Sequence, residues 1–117
     1  MKLTEKRKKI LEIIYTSRIP LNAKTLKLQV DFDMSTVYRA LDFLEKKQYI
    51  YSFELENEKY YFKDENATFF VCSSCRHIES LPELPTTEKE KRILRKKGFS
   101  LFSHLSVFKG KCNDCDN

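Results

Sequence analysis

Apolar residues in the first half of the chain recur at helical spacing, and then the period changes to that of a strand. From Thr4 to about Ser17, Ile10, Leu11, Ile13, Ile14 and Tyr15 form one apolar stripe among lysines and glutamates. Thr4 is placed to cap this helix, and Arg18-Ile19-Pro20 breaks it. Asn22 caps a short second helix with Leu26 and Val30 turned inward, and Asp31-Phe32 makes a turn. Asp33 caps a third helix that frays after Lys47. Its buried stripe is Val37, Ala40, Leu41 and Leu44, and its opposite side carries Ser35, Tyr38, Arg39, Asp42 and Lys46. Residues 49–55 then alternate large apolar side chains with others, Glu56-Asn57-Glu58 supplies a turn, and residues 59–62 return as a second strand. Three helices followed by a two-stranded ribbon is the order of a winged helix-turn-helix. In that fold the helix before the ribbon is offered to the major groove.

Residues 64–67 form the expected boundary, which divides the chain into segments 1–64 and 68–117. Beyond it, residues 68–71 and 77–81 read as strands around a tight knuckle, and Pro82 and Pro85 bracket a connector. Thr87 is placed to cap a helix running to Lys97, with Gly98 closing it. Residues 99–109 alternate again and predict a strand.

Composition narrows the class. A chain of 117 residues with 41% hydrophobic and 33% charged residues is globular, in one domain or two small modules. It has no run of 18 apolar residues, and its start lacks the apolar stretch of a signal peptide, so the expectation is a cytoplasmic protein with no membrane partner. The net charge of +5 is uneven: residues 1–50 hold 11 basic and 6 acidic side chains, and residues 51–117 hold 11 of each. The excess lies in the half with the winged-helix pattern, which suits a polyanion there, against the plainer reading of a soluble lysine-rich surface.

All 4 cysteines fall in two Cys-x-x-Cys pairs, Cys72/Cys75 and Cys112/Cys115. Two such pairs supply the four thiolates of a structural zinc site, and the spacing within each pair lets both sulfurs meet one ion. The long segment between the pairs means that the ion would clip a subdomain together. The rival readings are ordinary buried thiols and a redox dithiol. A thioredoxin-type dithiol wants a helix N-terminus after its first cysteine, whereas here the first pair lies between strands and the second ends the chain.

An arginine near the start of an exposed helix face can bond a guanine edge or a phosphate, and a neighbouring tyrosine can pack on a thymine methyl. The competing reading sets Tyr38 against the ribbon and Arg39 in a surface ion pair. Thr36-Val37-Tyr38-Arg39-Ala40-Leu41, the wing and the two cysteine pairs together resemble the ferric uptake regulator (Fur) family. So does the opening Leu3-Thr4-Glu5-Lys6-Arg7-Lys8-Lys9-Ile10-Leu11, and so does the closing segment from Phe99 to Cys115. The resemblance implies an α+β protein: an N-terminal winged helix-turn-helix followed by a small α/β dimerisation subdomain clipped by a four-cysteine zinc site. It implies a homodimeric transcriptional regulator, a repressor, that binds a pseudo-palindromic double-stranded operator. It implies DNA contacts from Tyr38 and Arg39, with Ser35 and Thr36 on the same first turn, and backbone or minor-groove contacts from Arg7 and Lys2. It also implies that Cys72, Cys75, Cys112 and Cys115 hold Zn2+.

The chain departs from the family where a histidine-rich run supplies a sensing metal site. Residues 65–71 contain no histidine, and the usual ligand positions hold Ala67 and Phe69. The 2 histidines, His77 and His104, with Glu79, are the remaining candidates for a second, regulatory metal. No nucleophile–base pair, phosphate loop or catalytic carboxylate pair is present, so no enzyme is expected. The alternative function is a protein-interaction module that modulates a related regulator without binding DNA.

Overall fold

Each of the first three helices begins on a polar side chain that accepts an otherwise unpaired N–H of its first turn. A computed structural model of the chain describes residues 3–82, 88–101 and 103–115. Thr4 Oγ1 accepts from Arg7 N–H (3.3 Å) at the head of α1 (Glu5–Thr16). Asn22 Oδ1 accepts from Thr25 N–H (2.9 Å) at α2 (Ala23–Lys27), and Asp33 Oδ1 from Thr36 N–H (2.9 Å) at α3 (Met34–Lys46). The Asp33 carboxyl is held below the usual carboxylate range by its side-chain and backbone bonds to Thr36 and by Ser35. The two segments Met1–Asp64 and Glu65–Asn117 are separate compact units.

In the first unit Ile10 and Ile14 of α1, Leu26 of α2, and Val37, Leu41 and Leu44 of α3 close one buried core with Ile50. The buried side of α1 is narrower than its sequence pattern: Leu11 and Ile13 flank it half-buried, and Tyr15 is exposed. Tyr15 leaves the core because its hydroxyl donates to Tyr49 O (2.9 Å). Strands β1 (Tyr51–Leu55) and β2 (Glu58–Phe62) pair antiparallel around Glu56 and Asn57, both at positive φ (50° and 67°), the geometry of a tight two-residue hairpin. Tyr61 enters the helical core, and its backbone exchanges two hydrogen bonds with Leu21 (2.9 and 2.8 Å), so the ribbon is stitched to the entry of α2. On the ribbon's other side Phe53 stacks on Tyr60 with ring centroids 5.7 Å apart. Glu45 of α3 holds the ribbon as well, through Ser52 Oγ and Lys59 Nζ. The unit is a winged helix-turn-helix.

The second unit is a three-stranded sheet in the order β4-β3-β5, with β3 (Ala67–Cys72) at its centre. β4 (Ile78–Leu81) returns antiparallel, and β5 (Leu105–Gly110) runs parallel to β3. A parallel neighbour needs a crossover, and α4 (Glu88–Lys96) lies within it. Gly98, at φ 77°, ends α4: its N–H reaches Arg95 O (3.0 Å), and Phe99 N–H reaches Leu94 O (2.9 Å). The closing strand is shorter than the alternation over 99–109. It starts at Leu105, which pairs with Ala67, the first residue of β3; His104 O still accepts from Ala67 N–H (3.2 Å), and residues before it lie past the start of β3 in this register. The expected Thr87 cap lies outside the described residues.

Candidate nucleic-acid interface and metal centre

The stripe that buries Val37, Ala40, Leu41 and Leu44 decides what α3 presents outward. Tyr38 is 53% exposed, and Arg39 and Ser35 are exposed. Ser35 Oγ donates to the capping Asp33 Oδ1 (3.1 Å), and Thr36, half-buried, gives its N–H to the same oxygen. Arg7, from α1, reaches the same helix: its Cζ stands 3.8 Å from the centroid of the Phe43 ring. Lys2 lies outside the described residues.

The two flanks of α3 differ in sign. Arg39 lines one cavity with Arg7, Phe43, Lys46 and Lys47. Tyr38 lines another with Lys24 and the ribbon's Glu54, Glu56, Glu58 and Lys59. The pattern does not single out Phe43, Lys47 or the ribbon glutamates as functional. Phe43 lies four residues after Arg39 on one helix face, a spacing that is available in sequence, but its approach to Arg7 is a tertiary contact with no local signal.

The cysteines converge. The Cys72–His77 turn carries Arg76 at φ 63°, with Arg76 N–H bonded to Cys72 O (2.9 Å) and Cys72 N–H to His77 O (2.9 Å). The second pair arrives on the end of β5. Gly110 pairs with Cys72, and Ser73 N–H bonds Gly110 O (2.8 Å). A Cβ at Gly110 would stand 3.1 Å from the Phe70 ring, so glycine lets the strand end pass there. The four Sγ atoms all lie within 4.8 Å of one another, and Cys75 and Cys112 Sγ are 3.7 Å apart. Tetrahedral coordination at ~2.3 Å per sulfur requires sulfurs ~3.8 Å apart, so the set fits one metal ion. Among the described residues this is the one group of three or more His, Cys, Asp or Glu side chains so placed.

Backbone N–H groups of Cys75 (3.5 Å) and Cys112 (3.4 Å) point at Cys72 Sγ and bring its pKa down to about 5. The sulfurs of Cys112, Cys72 and Cys75 push Cys115 up to about 12. Four crowded thiols therefore resist full ionisation until a cation joins them. His77 Nε2 lies 3.5 Å from Glu79 Oε1, both exposed. His104 is half-buried before β5, its N–H bonded to Asn66 Oδ1 (2.9 Å), and it forms no three-ligand group with them.

A winged helix-turn-helix with a cationic recognition-helix flank, followed in the chain by an α/β unit with four convergent thiols, defines a metal-binding regulator of the winged-helix class. The chain belongs to the ferric uptake regulator family, whose model matches residues 1–108. Members of this family are metal-responsive transcription regulators that bind DNA, and not enzymes. The ferric uptake regulation protein of Cupriavidus metallidurans is 29% identical over 126 residues, covering 98% of this chain and 88% of that one. That of Campylobacter upsaliensis is 25% identical over 128 residues, covering 100% and 81%. Among solved structures, the Helicobacter pylori regulator Fur, described as having three functional metal-binding sites, superposes with TM-score 0.81 at 22% identity, over 100% of this chain and 83% of that one. A zinc uptake regulator complexed with zinc and DNA superposes with TM-score 0.60 at 23% identity, over 99% and 84%. The second cysteine pair lies past the end of the family match, and its geometry alone joins it to the first. No helix among the described residues is long and apolar enough to cross a membrane.

Proposed function

We propose that the protein is a cytoplasmic, homodimeric repressor that reads a pseudo-palindromic operator with α3 and carries a structural Zn2+ on Cys72, Cys75, Cys112 and Cys115. The observation that carries the reading is the placement of Tyr38 and Arg39 outside the buried stripe of α3, in a unit where Arg7 reaches the same helix. Tyr38 and Arg39 meet base edges from the first turns of the recognition helix, Ser35 and Thr36 sit beside them, and Arg7 and Lys2 hold the backbone. Four thiolates at tetrahedral spacing favour zinc over oxygen-preferring cations.

Dimerisation is supported by what the second unit leaves uncovered. No residue of α4 is buried, and Ile93, Phe99, Leu101, Leu105 and Phe108 are exposed. A second copy brings the same patch and sets two recognition helices on half-sites about one helical turn apart, or a multiple of it. The sensing site is degenerate: Ala67 and Phe69 are buried apolar residues of β3, and His77, Glu79 and His104 offer at most a weak second site.

The test is selection of a bound duplex from a random pool by the zinc-loaded protein, followed by affinity measurements on the winner and on scrambled DNA. Arg39→Ala is expected to cost about 1–3 kcal/mol on the selected site and to relax preference at one base position. A uniform loss over all sequences assigns Arg39 to phosphate instead. No retardation of any duplex at low salt would reject DNA binding in favour of a protein-interaction module.

A further inference from the structure

Segment 88–97 holds 6 of the 9 basic residues of the unit Glu65–Asn117 and only 2 of its 7 acidic ones. Every residue of α4 is exposed except Leu94, which is half-buried. Helical spacing sets Lys89, Arg92 and Lys96 (i, i+3, i+7) in one row on the side opposite Leu94. The helix's own glutamates do not balance that row: Glu88 engages Arg95 (3.7 Å), and Glu90 lies one turn before Leu94 on the other side. Two features of the row run against the helix itself. Lys89 with Arg92, and Arg92 with Lys96, bring like charges together at i,i+3 and i,i+4. Lys89 also stands in the first turn, where the helix dipole favours anions and disfavours a cation. Arg95 and Lys96, in the last turn, complement that dipole, but the dipole accounts for neither Lys89 nor Arg92. Charges that a helix keeps against its own local preference are expected where they serve recognition.

We propose that this side of α4 docks an acidic protein segment, whose carboxylates pair with Lys89, Arg92 and Lys96. Charge selects the occupant. A second copy brings the same cations and is repelled from the row, which leaves the unit's exposed apolar side chains to the dimer contact. A DNA duplex is long and uniformly anionic, so it meets the whole unit, which outside segment 88–97 has 3 basic and 5 acidic residues. A short acidic segment covers the row alone, and carboxylates beyond ~10 Å are screened from it at about 0.1 M salt. Carboxylates three or four positions apart on a helical segment, or two apart on an extended one, match the spacing of the row. The proposal is independent of the DNA-binding reading.

The experiment reads the binding of a fluorescein-labelled decaglutamate peptide to full-length, metal-loaded protein by anisotropy at low salt. Wild type is compared with the double variant Arg92→Gln, Lys96→Gln. The control double variant, Lys109→Gln with Lys111→Gln, removes two cations of the same unit outside the row. Loss of Arg92 and Lys96 relieves the like-charge crowding, so that variant is expected to fold at least as well as wild type, as circular dichroism would show. It is expected to weaken peptide binding about five- to tenfold, and the control less than about twofold. Affinity for a random-sequence duplex is expected to stay at the wild-type value in Arg92→Gln, Lys96→Gln. Equal losses of peptide binding in the two double variants would show attraction by net charge alone and overturn the proposal. So would failure of wild type to bind the peptide. A fall in duplex affinity in Arg92→Gln, Lys96→Gln, with a smaller slope of log affinity against log salt, would assign the row to nucleic acid and overturn it as well.

Discussion

Gln48 stands where a helix commonly ends in glycine. It is at φ 62°, with its N–H on Glu45 O (3.0 Å) and the Tyr49 N–H on Leu44 O (2.9 Å), the same paired closure that Gly98 provides for α4. The left-handed conformation costs an L-residue roughly 1–2 kcal/mol, and glycine's greater freedom in the unfolded chain offsets about 0.5–1 kcal/mol of the gain. Gln48→Gly is therefore expected to stabilise the winged-helix unit by about 0.5–1 kcal/mol, seen as a higher urea midpoint at unchanged slope. A lower midpoint would show that the glutamine side chain contributes a contact worth more than the strain. The same scale shows why some residues are readable in sequence and others are not. Thr4, Asn22 and Asp33 each bond an amide three positions on, so the cap is written locally. The Tyr15 hydroxyl on Tyr49 and the Arg7 guanidinium on Phe43 join residues more than thirty apart, and hydropathy assigns such side chains to the core or the surface without naming the partner.

The elements themselves are legible where period and caps agree. All three opening helices and the hairpin follow from changes of apolar period and from turn residues. The closing strand reads too long because alternation in sequence does not reveal where the neighbouring strand begins. The wing shows what a correct element can still conceal. Its position is expected, but its acidity matters only once β1 and β2 bring Glu54, Glu56 and Glu58 round to Tyr38. Glu58 is engaged by Asn22 Nδ2 (2.8 Å), which also caps α2, so it has a structural task. In the proposed DNA complex the charges of Glu54 and Glu56, beside Tyr38, would repel phosphates across the groove face. Glu54→Gln with Glu56→Gln should tighten binding to random-sequence duplex on the order of threefold at low salt, and the gain should fade as salt passes about 0.1 M, where charges beyond ~10 Å are screened. Weaker binding in that double variant would mean that the wing carboxylates organise the DNA-facing surface.

At the scale of the whole molecule the two units draw stability from different sources. The first closes a core of fully buried aliphatic side chains, whereas the second has a narrow buried strip along β3 and an α4 with no buried residue. The sulfur cluster joins the Cys72–Cys75 turn to the chain that follows β5, at the end of the sheet where Cys72 pairs with Gly110. Structural zinc contributes on the order of 10–16 kcal/mol in small peptides, more than most small domains possess in total. A chelator is therefore expected to split one calorimetric transition into two, melting the unit 65–117 early and leaving the winged helix near its original temperature. Metal binding ionises all four thiols, so acid opposes it. In metal-free protein the shifted thiols work in opposite directions: Cys72 is lowered, whereas Cys75 and Cys115 are raised. Cys72, lowered from 9.0 to about 5, favours the fold above its unfolded pKa, and that contribution is lost as pH falls through about 5. Cys115, raised from 9.0 to about 12, favours the fold below 9.0 and ceases to do so as pH rises through about 12. Only the loaded protein links both pairs through charge, so its loss of metal on acidification should coincide with loss of sheet signal from residues 65–117 in hydrogen exchange. Metal leaving with full protection of β3 and β5 would show that the apolar strip of β3 sustains the sheet without the clip.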